Sequence, residues 1–352
     1  MSTTTPPDLA PVEAGNPHPA ASTRVLSGIT PSGPLTLGNY LGALRRFVDG
    51  QAAAKTGAGQ EGFFFVADLH AMTMPHEPSR LHDLTVQTAA LYFASGLDPQ
   101  HSTVFLQSHV RAHVELSYLL ESTAHPGELT RMIQFKEKGG RPGTRASLFT
   151  YPCLMAADIL LYDTESVPVG GDQSQHVELA RDLAIRFNRL YGDTFVVPRF
   201  TPGARAARVA DLADPTSKMS KSAPDQAPGV IRMLDDPKVV TRKINRAVTD
   251  SDNDVRYDPA AKPGVSNLLD IIACLEGVEP TRLADSFSTY GALKKACAEA
   301  VVGALAPLQR RYTELVADPG ELTGLLAADA ERARDQAEPV VARAKQAMGL
   351  VV

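Results

Sequence analysis

Hydrophobic residues follow two different patterns along the chain, and the change between them predicts two structural parts. In the first part, short uninterrupted apolar segments alternate with stretches in which apolar residues recur every three or four positions. Such segments are typical of strands buried on both faces of a parallel sheet, so this alternation predicts a doubly wound α/β sheet. Ligands of such sheets lie beyond the carboxyl ends of the strands. The expected strands are at 25–29, 63–67, 104–106 and 167–169, with helices at 80–95, 113–124, 153–163 and 173–190.

The second part begins after about residue 225 and carries helical periodicity without strand signals. A proline inside a helix removes a backbone hydrogen bond, so Pro339 is expected to kink or split the last helix. The predicted organisation is a disordered tail at 1–22, the sheet domain at 23–217, a hinge loop at 218–225 and an all-helical domain at 226–352. We expect the last helix to pack back on the sheet domain. Helices are predicted at 236–248, 265–276, 280–287, 291–317 and 321–348.

Composition narrows the setting without selecting a function. Hydrophobic residues make up 43% and charged residues 21%, as in soluble globular proteins, and no apolar run approaches the ~20 residues that span a membrane. The net charge is -5, so contact with a nucleic acid requires a local basic surface. Cys153, Cys274 and Cys297 lie far apart, which predicts neither a structural metal nor a disulfide. Together with an N-terminus that lacks signal-peptide features, this predicts a cytoplasmic protein.

The start of the sheet domain carries a strand, a turn and a helix, the usual opening of a nucleotide-binding fold. We call residues 30–38 the glycine turn; it contains Pro31, Ser32 and Gly33, and a helix is predicted to begin near Gly38. Gly38 allows a nucleotide to approach the backbone, and open N–H groups at a helix start favour phosphate. Alone this pattern also fits a simple tight connection.

Residues 218–222, Lys-Met-Ser-Lys-Ser, form the most specific pattern, which we call the lysine loop. Two lysines three positions apart in a serine-rich loop can both reach one polyphosphate and neutralise charge as pyrophosphate leaves. The competing interpretation is a solvated linker. The occurrence of both the lysine loop and the glycine turn in one chain favours a nucleotide site.

The two patterns together resemble the signatures of class I aminoacyl-tRNA synthetases, with Thr36 and Asn39 where the class has two histidines. That variant is similar to the bacterial-type tryptophanyl-tRNA synthetases. The resemblance extends from residue 24 onward, through 66–71, 132–138, 151–188 and 248–270. It implies a Rossmann-like catalytic domain, a helical anticodon-binding domain and a homodimer.

The resemblance implies an ATP site between the glycine turn and the lysine loop, with Mg2+ brought in by ATP. Lys218, Lys221 and Lys138 are the expected catalytic residues; Lys138 and Lys136 are expected on a mobile loop, and a solvated loop is the alternative. Asp172 follows a predicted strand and is expected to bind ribose; the competing interpretation is that it caps the next helix. The expected ATP-binding residues are Thr30, Pro31, Ser32, Gly38, Asn39, Gly170, Asp172, Val209, Lys218, Met219, Ser220, Lys221 and Ser222.

The amino-acid pocket is expected on the apolar segment 151–162, which contains one carboxylate, Asp158. A buried carboxylate needs a partner, so Asp158 either faces water or holds one. The resemblance implies that Asp158 accepts the indole N–H, that Met155 packs on the ring and that Gln173 binds the head group. The full expected tryptophan-binding set is Leu26, Gly28, His70, Tyr151, Met155, Asp158, Val167, Val169 and Gln173.

One departure from the resembled family concerns Thr30, where many members carry Gln. The shorter side chain predicts altered affinity for tryptophan or its analogues and leaves open an auxiliary or inhibitor-tolerant isoform. Leu26 also replaces a frequent Phe. Neither change removes a charge from the expected chemistry.

The implied activity is the activation of L-tryptophan with ATP and its transfer to tRNA(Trp). A tyrosyl-type synthetase or another adenylyltransferase is the nearest alternative, and Asp158 with Met155 separates them. A non-catalytic RNA-binding paralogue is the alternative from a different class, and the intact pair Lys218 and Lys221 argues against it. Basic residues Arg232, Lys238, Arg242, Lys243 and Arg246 are candidates for contacts with tRNA phosphates near the anticodon, and a solvated helix face is the competing interpretation.

Overall fold

The structure, a computed structural model, describes residues 24–55, 61–164, 166–169, 174–202 and 209–352. Three parallel strands form one sheet in the order β1-β2-β3, with Gly28 opposite Phe65 and Phe65 opposite Phe105. A second parallel pair joins β4 to β5. The predicted parallel α/β architecture is confirmed. The strands are β1 (Arg24–Ile29), β2 (Glu61–Val66), β3 (Ser102–Leu106), β4 (Ser166–Val169) and β5 (Arg199–Pro202).

Helices separate most of the strands and predominate after residue 236. In the sheet-containing part they are α1 (Leu37–Asn39), a π-helical turn (Tyr40–Leu44), α2 (Arg45–Lys55), α3 (Asp68–Ala71), α4 (Pro78–Ala94), a 3-10 turn (Gln107–His109), α5 (Ala112–Glu121), α6 (Pro126–Leu129), α7 (Ile133–Lys138), α8 (Ala146–Leu160) and α9 (Ser174–Tyr191). The later helices are α10 (Pro237–Asn245), α11 (Pro263–Glu276), α12 (Pro280–Ala284), α13 (Tyr290–Ala317) and α14 (Pro319–Ala347).

Alternate side chains of β2 enter two different cores. Phe64 and Val66 belong to a cluster that continues through α4 into the helical part, whereas Phe63 and Phe65 belong to a cluster with α5, α8, α9 and α14. Successive residues of a strand point to opposite faces, so one short strand of four buried aromatic and aliphatic side chains joins both cores. This double burial explains the uninterrupted apolar sequence of β2.

The last helix packs against the sheet. The Asp329 carboxylate, fully buried, accepts the backbone N–H of Val104 in β3 at 2.7 Å, and the Arg343 guanidinium donates to the Thr194 carbonyl at 2.9 Å. The expected split at Pro339 is wrong, because α14 runs unbroken from Pro319 to Ala347. The buried side chains that flank Pro339, Ala337 and Val340, hold the helix in place although Pro339 supplies no N–H.

Within the described residues, no helix combines the length and apolar character needed to span a membrane.

Candidate active site

Thr36 and Asn39 lock the start of the first helix. The Thr36 N–H donates to Asn39 Oδ1 at 3.0 Å, and the Asn39 N–H donates to Thr36 Oγ1 at 3.3 Å, which is a reciprocal capping box. The Leu37 N–H donates to the Ile231 carbonyl at 2.9 Å. The expectation of open N–H groups at this helix start is therefore wrong for Leu37 and Asn39, because local capping and a distant carbonyl already satisfy them.

Gly38, Val209 and Met219 meet in one wall of the site. A methyl group added to Gly38 would lie 3.7 Å from Val209 Cβ and 3.8 Å from Met219 Cβ. Met219 is buried, and its N–H donates to the Val209 carbonyl at 3.1 Å. The middle of the lysine loop is thus packed beside the glycine turn, as a site shared by the two segments requires.

Lys221 connects the lysine loop to the glycine turn through both its side chain and its backbone. Its Nζ donates to the Thr30 carbonyl at 2.6 Å, and its own carbonyl lies so near Gly33 that a Cβ there would come within 2.3 Å. Burial, and then the positive charge of Lys218, lower the pKa of Lys221 to about 8. A partly desolvated ammonium in this position would interact strongly with a phosphate chain.

Further expected members of the nucleotide site lie on the same two segments. Lys218, Ser220 and Ser222 are exposed on the lysine loop, and the Ser220 and Ser222 hydroxyls lie 2.8 Å apart. On the glycine turn Pro31 is buried, while Ser32 is exposed and donates its N–H to the Thr30 carbonyl at 2.9 Å. The sequence-predicted residues of the two segments are therefore brought together.

Asp158 lies inside the protein, so the alternative of an exposed helix aspartate is wrong. The residue is 3% exposed, and its side chain meets three hydrogen-bonding groups from separate segments. Gln107 Nε2 donates to Oδ1 at 2.7 Å, His113 Nδ1 lies 2.7 Å from Oδ1, and His70 Nε2 lies 2.8 Å from Oδ2. The apolar helix α8 thus carries, at its buried face, one carboxylate with three hydrogen-bonding neighbours. A carboxylate has about four acceptor sites, so a further donor can be accommodated.

The partners of Asp158 keep it ionised. Burial raises the pKa of Asp158, but hydrogen bonds from His113 and then His70 outweigh burial, so the pKa of this carboxyl lies below its ordinary value. His113 Nε2 lies 2.9 Å from the Tyr162 hydroxyl. A neutral His113 satisfies both neighbours when Nδ1–H donates to Asp158 and the Tyr162 O–H donates to Nε2. The carboxylate is a negative charge held in a fixed orientation.

Tyr151 lies about two helical turns before Asp158 on α8, beside His70. The two rings meet edge to face with centroids 6.3 Å apart, and the Tyr151 hydroxyl lies 3.1 Å from His176 Nε2. Burial raises the pKa of Tyr151 to about 12, so its hydroxyl remains protonated at neutral pH. Met155, half-buried, lies four positions after Tyr151 and three before Asp158, a spacing that places the three side chains on one face of α8.

β1 carries two of the expected pocket residues. Leu26 is buried, whereas Gly28 is exposed although it lies within the sheet. A Cβ at Gly28 would come within 2.6 Å of the Phe65 ring on the neighbouring strand, so any larger residue at this position would displace the ring. Val167 and Val169 lie in β4, while Gly170, Asp172 and Gln173 lie outside the described residues.

Lys136 and Lys138 are not on a loop, contrary to the sequence prediction. Both belong to α7, where the Gly139 N–H closes the last turn on the Phe135 carbonyl at 2.7 Å. The glycines that suggested a loop come after the helix, and Lys138 ends it as an exposed cation. A cation in the last helical turn is favoured by the helix dipole.

The predicted basic cluster divides into two groups. Arg232 is 6% exposed and donates to backbone carbonyls, and Lys243 forms an ion pair with Asp235 at 2.7 Å. The prediction that these two cations can meet tRNA phosphates is wrong, because both are already occupied inside the protein. The remaining three line an open groove of about 480 Å³ on α10, formed by Pro237, Lys238, Thr241, Arg242, Asn245 and Arg246.

Sequence reasoning missed two partners of Asp158. Gln107 directly follows β3, and the rule that ligand sites lie at the carboxyl ends of parallel strands would have indicated it. His113 has no comparable local signal, because it lies on the buried face of α5 among apolar residues.

Among the described residues, no group of three His, Cys, Asp or Glu side chains is arranged to hold a metal ion.

Comparison with known proteins gives a consistent result over nearly the whole chain. Residues 18–306 match the family described as "tRNA synthetases class I (W and Y)". A curated relative from Streptomyces avermitilis, "Tryptophan--tRNA ligase 1", is 54% identical over 333 residues, which are 93% of this chain and 99% of that protein.

Two solved structures have similar folds. Tryptophanyl-tRNA synthetase from Mycoplasma pneumoniae aligns with a TM-score of 0.83 and 37% identity, covering 94% of this chain and 98% of its own. The Campylobacter jejuni enzyme, complexed with ADP and tryptophan, aligns with a TM-score of 0.78 and 33% identity, covering 93% and 100%.

Proposed function

The chain belongs to the class I tRNA synthetases of the tryptophan and tyrosine group, and we propose that it is a tryptophan–tRNA ligase. The observation that carries the choice of amino acid is the buried, ionised Asp158 on an otherwise apolar helix face. A pocket built around a buried acceptor strongly rejects ligands that cannot donate to it. The names of relatives that cover almost the whole chain support the same choice.

The pocket residues divide between the ring and the head group of the amino acid. We propose that Asp158 accepts the indole N–H and that Met155 packs against the ring. We further propose that Tyr151, His70 and Gln173 bind the head group. The residues proposed to line the pocket from the sheet are Leu26, Gly28, Val167 and Val169. A protonated Tyr151 is suited to donate to a carboxylate or to accept from an ammonium.

ATP is proposed to bind between the glycine turn and the lysine loop. The tryptophan carboxylate attacks the α-phosphate; a new oxygen–phosphorus bond forms as the bond to pyrophosphate breaks, which gives tryptophanyl-adenylate. Lys218 and Lys221, with Lys138 from the end of α7, neutralise the departing pyrophosphate. Positioning and charge stabilisation carry this chemistry, so no protein nucleophile is needed.

The adenylate then acylates tRNA. The terminal ribose hydroxyl of the tRNA attacks the tryptophan carbonyl, and AMP leaves with the bonding electrons. The phosphates of ATP and water are the preferred Mg2+ ligands, so we propose that Mg2+ arrives with ATP and not in a protein cage. A homodimer and a cytoplasmic location are proposed for this enzyme on the basis of its family membership.

Pyrophosphate exchange tests the proposal directly. Purified enzyme with Mg2+, ATP and labelled pyrophosphate should incorporate label into ATP when tryptophan is present. Tyrosine and a reaction without amino acid are the matched controls. Exchange with tyrosine only would replace the assignment with a tyrosyl enzyme, and an absence of exchange with every amino acid would contradict an activating enzyme altogether.

The absence of tryptophan from the chain makes a direct binding measurement simple. The sequence contains no Trp residue, so selective indole excitation reports only the ligand. We expect the emission of L-tryptophan to change saturably as enzyme is added, because the ring moves from water into an apolar pocket. Binding without exchange would indicate a pocket that recognises tryptophan but a nucleotide site that does not work.

The α10 groove is the proposed contact for tRNA phosphates. Lys238, Arg242 and Arg246 line it, and the acids beside it are occupied: Asp236 caps α10 and Asp235 pairs with Lys243. Replacing these three cations with Ala should weaken tRNA charging by about tenfold or more at physiological salt. The slope of log affinity for tRNA against log salt concentration should become shallower by about one unit for each lost phosphate contact. Pyrophosphate exchange without tRNA should be unchanged.

A matched triple variant controls for the loss of charge. Arg282, Lys295 and Arg310 are exposed cations elsewhere in the helical part, and their replacement with Ala changes net charge equally. Equal losses of tRNA charging in both triple variants would show a general electrostatic effect and would remove the groove from the tRNA interface.

A further inference from the structure

Arg232 is a buried cation whose recorded side-chain partners are all backbone carbonyls. It is 6% exposed, and its guanidinium donates to the carbonyls of Pro34 at 3.2 Å, Lys221 at 3.1 Å and Ala223 at 2.7 Å, with a longer contact to Pro224 at 3.4 Å. A planar guanidinium offers five N–H donors in a fixed fork, so one side chain can bind several carbonyls at once.

These carbonyls lie on both sides of the proposed ATP site. Pro34 belongs to the glycine turn, Lys221 belongs to the lysine loop, and Ala223 and Pro224 follow that loop directly. Because Nη1 contacts both Pro34 and Lys221, one nitrogen ties the two segments together. The Lys221 carbonyl that it holds is the same group that lies against Gly33.

The backbone of Arg232 is anchored on the same turn. Residues 231–233 pair with residues 35–37 through an antiparallel β-bridge between Thr36 and Arg232. Leu37 donates its N–H to the Ile231 carbonyl, and Met233 donates its N–H to the Leu35 carbonyl. The Arg232 N–H also donates to Asp235 Oδ2 at 2.9 Å. A side chain that starts from a fixed backbone and ends on the loop can set the position of that loop.

We infer that Arg232 is a positioning residue that holds the lysine loop against the glycine turn before ATP binds. This inference rests on the proposed function, because the loop matters only if its lysines meet a polyphosphate. Holding the loop in place removes part of the ordering that ATP binding would otherwise require, which favours ATP affinity and the alignment of Lys218 and Lys221.

An Arg232→Met variant tests the role by separating ATP from tryptophan. In pyrophosphate exchange, kcat/KM for ATP should fall at least about tenfold, which corresponds to about 1.4 kcal/mol of lost positioning. The dissociation constant for tryptophan, measured by ligand fluorescence, should change less than about twofold, because Arg232 contacts none of the proposed tryptophan-binding residues in the described structure. Arg232→Lys keeps the charge but loses the forked donors, so its kcat/KM for ATP should lie between those of the wild type and Arg232→Met.

Lys243→Met is the matched control. Lys243 is a largely buried cation of the adjacent helix α10 that donates to Val230 and Asp235, and it does not contact the lysine loop. Its loss should lower thermal stability but leave the KM for ATP within about twofold. Equal effects of Arg232→Met and Lys243→Met on the KM for ATP would overturn the positioning role.

Chemical rescue keeps the test decisive if Arg232→Met is unstable. An Arg232→Ala variant leaves space for free guanidinium, whose addition at low concentration should restore most of the lost kcat/KM for ATP. Rescue supports the inference, and the absence of rescue in a folded Arg232→Ala enzyme, or an unchanged KM for ATP in any Arg232 variant, contradicts it. A wild-type enzyme without tryptophan-dependent exchange would instead contradict the proposed function.

Discussion

An Asp158→Asn enzyme should activate tryptophan about a hundredfold less efficiently than the wild type, measured as kcat/KM for tryptophan in pyrophosphate exchange. Hydrogen bonds to a charged group contribute about 1.5–3 kcal/mol, or roughly 10- to 150-fold. The neutral amide also carries two N–H donors into a site where Gln107, His113 and His70 already present donors. The substitution therefore removes the charge and disorders the acceptor that is proposed to bind the indole N–H.

A tryptophan analogue that lacks the N–H donor tests whether this effect is specific to the indole N–H. β-(3-benzothienyl)alanine replaces the indole N–H with sulfur and keeps the shape of the two rings. Wild-type enzyme should prefer tryptophan over the analogue strongly, whereas Asp158→Asn should activate the two with nearly equal kcat/KM. A variant that keeps the wild-type preference would contradict the proposed role of Asp158.

Asp329→Asn is the control for burial of an aspartate. Asp329 is fully buried in contact with the Val104 N–H and Arg332, and it lies on α14, which supplies no proposed pocket residue. Its substitution should affect unfolding and leave the preference for tryptophan unchanged. The comparison separates a loss of stability from a loss of recognition.

The identity of the acidic residue could be predicted from the sequence, but its surroundings could not. Asp158 interrupts a strongly apolar helix, and this pattern is visible within a few positions. Its donors come from Gln107 and His113, which are 51 and 45 positions away and reach it only through the packing of β3 and α5 against α8. Periodicity reports which face of an element is buried, and it does not report which buried side chains meet.

For the glycine turn and the lysine loop, too, the sequence predicts the segments but not all of the contacts around them. The strand, turn and helix that begin the sheet domain and the lysine loop are local patterns, and the contact of Lys221 with Thr30 agrees with their proposed common site. The interpretation of Arg232 as a surface cation failed, because its burial depends on the pairing of residues 231–233 with residues 35–37 nearly two hundred positions earlier. The α7 helix was missed because it is only six residues long and glycines follow it.

Lys221→Met should lower kcat of pyrophosphate exchange by about 10²- to 10³-fold, the usual effect of removing one group that stabilises charge in a transition state. The ammonium lies between the two segments that are proposed to hold ATP, and a methionine keeps most of the length of the lysine but carries no charge. Tryptophan binding, measured by fluorescence without ATP, should be unchanged. A comparable loss of tryptophan affinity would contradict a role limited to the nucleotide.

The pH dependence gives a second signature of the same residue. Burial and the charge of Lys218 lower the pKa of Lys221 to about 8, well below the ordinary value for lysine, so the free enzyme loses this charge as pH rises through about 8. Because the protonated form is the one that attracts phosphate, kcat/KM for ATP should be constant below this pH and should fall above it.

Two substitutions should move this fall in the direction that the charges dictate. Lys221→Arg remains protonated throughout the range, so any activity that it retains should not decline above pH 8. Lys218→Met removes the neighbouring positive charge, which allows Lys221 to hold its proton to higher pH and shifts the decline upward. Retention of the wild-type decline in Lys221→Arg would assign the titration to another group, even if Lys221 remained necessary for catalysis.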